Sequence, residues 1–259
     1  SSRAGFKSST YGATLGFDTQ ANADLTVGVA GTYAKSDVKH KNFKSGDKTK
    51  GDTFAFSIYG IQQLTNNWFL QGHAAYATTR MKNSEKRITA TTSETARSEF
   101  DVTSYNAELL AGFNYSMGEA VVTPLVGASY TRINNSGYTE TGTTNQNLTV
   151  SSKATNKFDA VVGLRGQMTT EMNGINVTPE IHGFVRHDLI GKDSRTTAKI
   201  SSMANSLTPK SAKAIKTTFN VGLGVNAVSG MYEYGAGYDL FAANKTIGHQ
   251  GTLKVRVNF

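Results

Sequence analysis

The 259-residue chain has no cysteine, three prolines and one tryptophan. Without cysteine there is neither a disulfide framework nor a thiolate metal site. The absence also suits a chain that crosses an oxidising compartment, where a stray thiol is a hazard. No apolar run approaches the ~18 residues that a transmembrane helix requires. The mean hydropathy of −0.35 excludes a helical membrane protein. It does not exclude a β-barrel, in which half of each strand faces a polar lumen. No linker divides the chain, so residues 1–259 read as a single domain.

What is abundant is glycine, 26 residues, and a period of two. Tyr11, Ala13, Leu15 and Phe17 alternate with Gly12, Thr14, Gly16 and Asp18. Leu25, Val27, Val29, Gly31 and Tyr33 alternate with Thr26, Gly28, Ala30 and Thr32. Tyr105, Ala107, Leu109, Ala111, Phe113 and Tyr115 oppose Asn106, Glu108, Leu110, Gly112 and Asn114. The same rhythm recurs at Phe54–Ile58, Trp68–Tyr76, Val122–Tyr130, Phe158–Met168, Ile175–Val185, Ile215–Ala227, Tyr232–Leu240 and Leu253–Phe259, which makes eleven strands. Many run for ten residues or more. Globular strands average about 5–6, and a tilted strand crossing a bilayer needs about 9–11. The pattern predicts an all-β, antiparallel transmembrane barrel.

The connections support this. Tight turns are expected at Gln20–Asp24, Leu64–Asn67, Ser116–Glu119, Glu171–Gly174 and Ser229–Gly230. They alternate with long polar loops at Asp37–Gly51, Lys82–Ser98, Asn134–Ser152 and Ile190–Ala212, and a shorter one at Ala242–Gly248. Outer-membrane barrels have short periplasmic turns and long extracellular loops. Such barrels also have even strand numbers, so a twelfth strand is expected upstream, between the Tyr11 strand and the Leu253–Phe259 strand. The net charge is +8, and the four long loops hold thirteen basic and six acidic residues. That places most of the positive charge where it meets the phosphates of outer-membrane lipid and lipopolysaccharide. Nucleic acid is not an expected partner, because no basic patch is interleaved with stacking aromatics.

The alternation assigns Glu108, Asp159, Arg165, Glu180, His182, Arg186, Glu233, Asp239, Lys254 and Arg256 to the lumen. Opposite charges there should pair with one another or grip a plug, since burying a lone charge is costly. A catalytic acid/base set is the other reading, with His182 and His187-Asp188 as its only candidates. No cofactor or metal site stands out. Inward glycines (Gly12, Gly16, Gly28, Gly112, Gly127, Gly163, Gly222, Gly224) would admit a threading backbone or relieve strain in a curved sheet. Aromatics form two rims. Phe17, Trp68, Tyr115 and Tyr232 lie near the short turns, and Tyr11, Tyr33, Tyr76 and Tyr130 near the long loops, as interfacial girdles do.

The chain ends with Leu253, Val255, Val257 and Phe259 alternating with Lys254, Arg256 and Asn258. This ending resembles the C-terminal signal of outer-membrane barrels, which the barrel-assembly machinery reads by pairing a strand with it. The Gly-rich strand from Tyr11 to Asp18, followed by Leu25-Thr26-Val27-Gly28-Val29-Ala30-Gly31-Thr32-Tyr33, resembles the early strand pair of type V autotransporter translocator domains. The ending is similar to that of rickettsial surface-antigen autotransporters. The resemblance implies a 12-stranded barrel with a helix through its lumen, through which a passenger leaves the cell. That helix and the first strand would lie upstream. A porin-like or adhesin barrel without a passenger, or a barrel protease, remains the alternative.

Overall fold

A computed structural model of the chain describes residues 6–40, 47–88, 93–143, 147–190, 198–200, 206–207, 217–243 and 246–258. Eleven long strands make one cylinder. They are β1 (Phe6–Asn22), β2 (Leu25–His40), β3 (Lys48–Gln63), β4 (Trp68–Ile88), β5 (Ser93–Phe113), β6 (Ala120–Asn135), β7 (Lys153–Met168), β8 (Ile175–Asp188), β9 (Thr217–Ser229), β10 (Tyr232–Ala243) and β11 (Thr246–Asn258). Each pairs antiparallel with its sequence neighbour. Tyr115–Met117 and Thr170–Met172 prolong β5 and β7 past short breaks. The hairpins at the short-turn rim use local chemistry. Asn22 Oδ1 accepts from the amides of Asp24 and Leu25 at 2.9 and 3.0 Å. Asn173 and Gly174 both adopt positive φ, 54° and 80°, as a two-residue turn matched to strand twist demands.

The eleven strands foreseen from the alternation are all present. The twelfth, expected between the first and last, is not what closes this sheet. β1 and β11 pair directly, and in parallel, from Lys7↔Ile247 to Asp18↔Asn258. The direction follows from arithmetic. An odd number of alternating strands leaves the first and last pointing the same way. The pairing itself follows from the solvent, because an open edge in hydrocarbon strands N–H and C=O groups at several kcal/mol each.

Two of the expected long loops are strand over most of their described residues. β2 runs on to His40 and β3 starts at Lys48, where a loop from Asp37 to Gly51 was expected. β4 and β5 continue to Ile88 and from Ser93, where Lys82–Ser98 was expected to be loop. Polar residues on both faces hide a strand from hydrophobic patterning, but cross-strand contacts hold this one above the membrane. Arg80 binds Glu99 at 2.9 Å and Asp101 at 3.1 Å. Arg87 reaches Glu85 and the buried Glu140, the latter at 2.8 Å. Burial opposes the charge on Arg87, yet its hydrogen bonds and the two carboxylates outweigh this and raise its pKa. Tyr138, stacked on Phe100 at 4.9 Å, has its phenol raised by burial and then by Glu140. Asn134–Ser152 contributes Tyr138–Thr139 and Leu148–Val150 to a small second sheet with Ala198–Ile200 and Ser206–Leu207. Much of the basic loop sequence lies outside the described residues.

The two faces of the cylinder invert a soluble protein. Leu15, Val27, Leu109, Val126 and Phe219 are exposed on the outside, Leu109 and Val126 at 57%, and Val255 lies on the same face opposite Leu15. The girdle aromatics Tyr11, Phe17, Tyr33, Trp68, Tyr76, Tyr115, Tyr130 and Tyr232 are all exposed. Several meet across strands, with Trp68 4.8 Å from Phe113 and Tyr76 5.1 Å from Tyr105. The buried apolar cluster of Phe69, Leu110, Leu125 and Val161, with Phe184 against it, sits inside the cylinder.

Candidate functional site

The lumen is two unlike halves. Along β4 to β8 the apolar cluster fills it. Along β1 to β3 most of the inward residues are small, among them Gly12, Thr14, Gly16, Ala30, Thr32, Ala55 and Ser57, with Tyr59 the large exception. Thr14, Gly16, Thr32, Ala55 and Ser57 line a cavity of about 540 Å³, together with Tyr59, Gln71, His73, Glu108, Arg165, Lys254 and Arg256. The strand register sets all ten of the charged residues named above on this inward face.

Seven of them form three ion-pair groups. Towards the short-turn rim, Arg256 lies between Glu233, at 3.0 Å, and Asp18, at 2.9 Å. The Asp18 approach through Nε is an ion contact rather than an aligned hydrogen bond. Tyr59 donates its hydroxyl to Asp18 Oδ2 at 2.9 Å, and the Arg256 guanidinium stands 5.5 Å from the Tyr59 ring centre. In the second group the His182 ring bridges two carboxyl groups, Glu180 at Nδ1 (2.8 Å) and Asp239 at Nε2 (2.5 Å). Asn220 fixes Asp239 from the other side at 3.1 Å. The third group spans three strand-to-strand steps: Arg186 on β8 binds Glu108 on β5 at 2.8 Å. His73 approaches the same carboxylate at 3.8 Å and is held by Asn106 at 2.8 Å. Asp159, nearer the long-loop rim, contacts Lys157 at 3.6 Å. Pairing charges in this way avoids the large penalty of an isolated buried ion.

Arg165 and Lys254 stand apart. Among the described residues neither has an ion pair, and Arg165 Nε is buried without a hydrogen-bond partner. Of the alternative acid/base reading, the His187-Asp188 part is not brought together. His187 is exposed on the outer face and contacts Thr217 at 2.8 Å. Asp188 is buried and accepts from backbone amides, including that of Ile190 at 3.1 Å. Adjacent residues of a strand point to opposite faces.

Sequence reading overlooked Asp18, Tyr59, Asn106 and Asn220. Their alternation places them inward, but only the three-dimensional register shows that they bind the charges. Four of the inward glycines serve a use other than those expected. A methyl group at Gly28 would lie 2.4 Å from the Tyr59 ring, at Gly112 2.2 Å from the Phe69 ring, at Gly163 2.2 Å from the Phe184 ring, and at Gly222 2.1 Å from Asp239 Oδ1. These four glycines make room for the barrel's own side chains. Leu253, Val255 and Val257 lie on the outer face of β11, and Phe259 lies outside the described residues.

The autotransporter beta-domain family model matches residues 1–239. Outer membrane protein A of Rickettsia conorii is 40% identical over 98% of this chain, which spans 13% of that protein. Outer membrane protein B of Rickettsia prowazekii is 37% identical over 99% of the chain, which spans 16% of it. Among solved structures, the translocator domain of autotransporter NalP from Neisseria meningitidis aligns over 87% of this chain and 72% of its own, with TM-score 0.64 and 17% identity. The beta domain of the Bordetella autotransporter BrkA aligns over 89% and 82%, with TM-score 0.54 and 14% identity. These two likenesses are of fold.

Proposed function

The chain belongs to the autotransporter β-domain family and is an integral barrel of the bacterial outer membrane, and from that premise we propose that it anchors a passenger polypeptide and exports it through the lumen. The observation that carries this reading is the half-filled lumen. A wall of Gly, Ala, Ser and Thr on β1 to β3 leaves a cavity of about 540 Å³, and small side chains let another backbone approach closely. The role is one of structure and transport. The test is display of an epitope-tagged reporter fused ahead of residue 1, read by protease accessibility on intact cells. Filling the wall with Ala30→Trp and Ser57→Trp should cut display at least tenfold while leaving heat-modifiable gel mobility intact. Undiminished display would overturn the reading.

Two partners go with this function. Leu253, Val255, Val257 and Phe259 would present β11 to the barrel-assembly machinery. Phosphates of lipopolysaccharide would face a lysine arc just beyond the outer girdle. There Lys39 stands directly across from Lys48, and Lys50 across from Lys82, all four exposed. Like charges directly opposite on a sheet repel; Asp37 across from Lys50 and Glu99 4.0 Å from Lys82 relieve one pair in part, and a polyanion would relieve Lys39 and Lys48. A basic residue near an anionic membrane surface contributes about 1 kcal/mol. Changing all four lysines to Gln should weaken binding to vesicles of diphosphorylated lipid A at least tenfold. Equal binding would rule out the arc as the lipid contact.

A further inference from the structure

A glycine inside a strand weakens it and often marks a place where something else approaches the backbone closely. Gly28 and Gly112 make room for the rings of Tyr59 and Phe69, but Gly60 on β3 and Gly72 on β4 make room for no side chain of the barrel. They stand directly opposite each other, two residues nearer the short-turn rim than Ile58 and Ala74. They share the outer face with Ile58, which is exposed there. A methyl group at Gly60 would come no closer than 3.5 Å to a neighbour, and one at Gly72 no closer than 3.4 Å, both ordinary contacts. Neither adopts positive φ. What they leave is a groove of about 720 Å³ in the outer wall, floored by Gly60, Gly72 and Ala74 and bounded by Phe17, Val27 and Ile58. Phe17 belongs to the aromatic rim near the short turns, so the groove opens into the leaflet on that side.

We propose that this groove holds one acyl chain of a phospholipid whose headgroup carries a primary amine. The groove faces hydrocarbon, so an apolar chain is what reaches it. Its volume falls within the range of about 300–1,000 Å³ over which proteins hold small ligands. A second barrel fits less well, because two convex walls touch along a narrow strip and cannot follow a recessed floor. Charge selects the headgroup. In the segments beneath the groove, Gln20 to Thr26 and Ile61 to Leu70, the only charged residue is Asp24. It is exposed, and three residues of strand, about 10 Å at about 3.3 Å each, separate it from Val27. That depth is the headgroup layer. A carboxylate there accepts a charge-assisted hydrogen bond from an ammonium and repels a headgroup of net negative charge. The site is independent of export through the lumen.

The experiment inserts the refolded 259-residue chain into vesicles of equal parts phosphatidylethanolamine, phosphatidylcholine and phosphatidylglycerol. The barrels are extracted in mild detergent and weighed intact by native mass spectrometry. The wild type should retain one phospholipid per barrel, with phosphatidylethanolamine favoured at least fivefold over each of the others. Gly60→Leu with Gly72→Leu should cut retention at least fivefold. Gly183→Leu, on the lipid face of β8 between the exposed Ile181 and Val185, should retain lipid like the wild type. Asp24→Asn should keep the lipid and lose the headgroup preference. Heat-modifiable mobility checks the folding of each variant. Bare wild-type barrels, retention without headgroup preference, undiminished retention by the double Leu variant, or a mass of two barrels that this variant loses would each overturn the proposal. If the double variant fails to fold, the wild type and Asp24→Asn decide the matter.

Discussion

Replacing Val255 and Val257 together by Asp is expected to abolish the folded, heat-modifiable form of the barrel. Val255 lies opposite Leu15 on β1 and Tyr234 on β10, and Val257 opposite Phe17 and Tyr232. Both therefore sit on the lipid face at the seam that closes the cylinder. A basic side chain at the midplane of a barrel's lipid face costs about 2–4 kcal/mol, with acids costing less and any charge less near the rim. Two acids together therefore cost less than about 4–8 kcal/mol, with Val257 near the rim contributing the smaller share, which is still a sizeable part of the stability margin of about 5–15 kcal/mol typical of folded proteins. They also fall on the strand that would be handed to the assembly machinery. Lys254, between them in sequence, faces the cavity, and Lys254→Gln should insert like the wild type. Membrane extracts run with and without heating provide the measurement. Normal insertion of the double Asp variant would show that this strand face tolerates charge and carries no assembly information.

The second large effect lies inside. Gly112→Val should lower unfolding free energy by about 1–3 kcal/mol or more, the usual cost of overpacking a filled core. The new Cβ would lie 2.2 Å from the Phe69 ring, and Phe69 cannot retreat because Leu110, Leu125 and Val161 surround it. Gly31→Ala is the control. Nothing lies within 4 Å of its added carbon, and its effect should stay within about 0.5 kcal/mol. Combining Gly112→Val with Phe69→Ala should cost less than the sum of the two, because the ring that causes the clash is gone. Urea unfolding in lipid vesicles reads all four proteins. Additivity in the double variant would mean that Phe69 and residue 112 do not compete for the same space.

The strand set and its two faces were legible because a barrel in lipid needs apolar residues outside. Leu15, Leu109 and Val126 announce that face by strict alternation. The inner face is less legible. Leu110, Leu125 and Val161 occupy positions that the pattern assigns to a polar lumen, and they make an apolar core there. Pairing among lumen charges depends on which strands curve towards each other. The contact between Arg186 and Glu108 crosses 78 residues of sequence and leaves no local trace. The extensions of β4 and β5 beyond the girdle were read as loop because neither face there is apolar, and their order comes from ion pairs. The closing pair was illegible for another reason: strand parity gives the relative direction of β1 and β11, but not that these two edges accept each other in the given chain.

Parity has one more consequence. A cylinder with an even count of alternating strands brings its two ends back to the same side of the membrane. This one does not. Phe6 lies at the long-loop rim, opposite His40, whereas Asn258 lies at the short-turn rim, beside Met231. Among the described strands the pairing of β1 with β11 is therefore the one parallel ladder in an otherwise antiparallel cylinder, and slanted parallel bonds are slightly less stable per residue than antiparallel ones. The seam is thus the weakest joint of the wall, and opening of the cylinder under load should begin there.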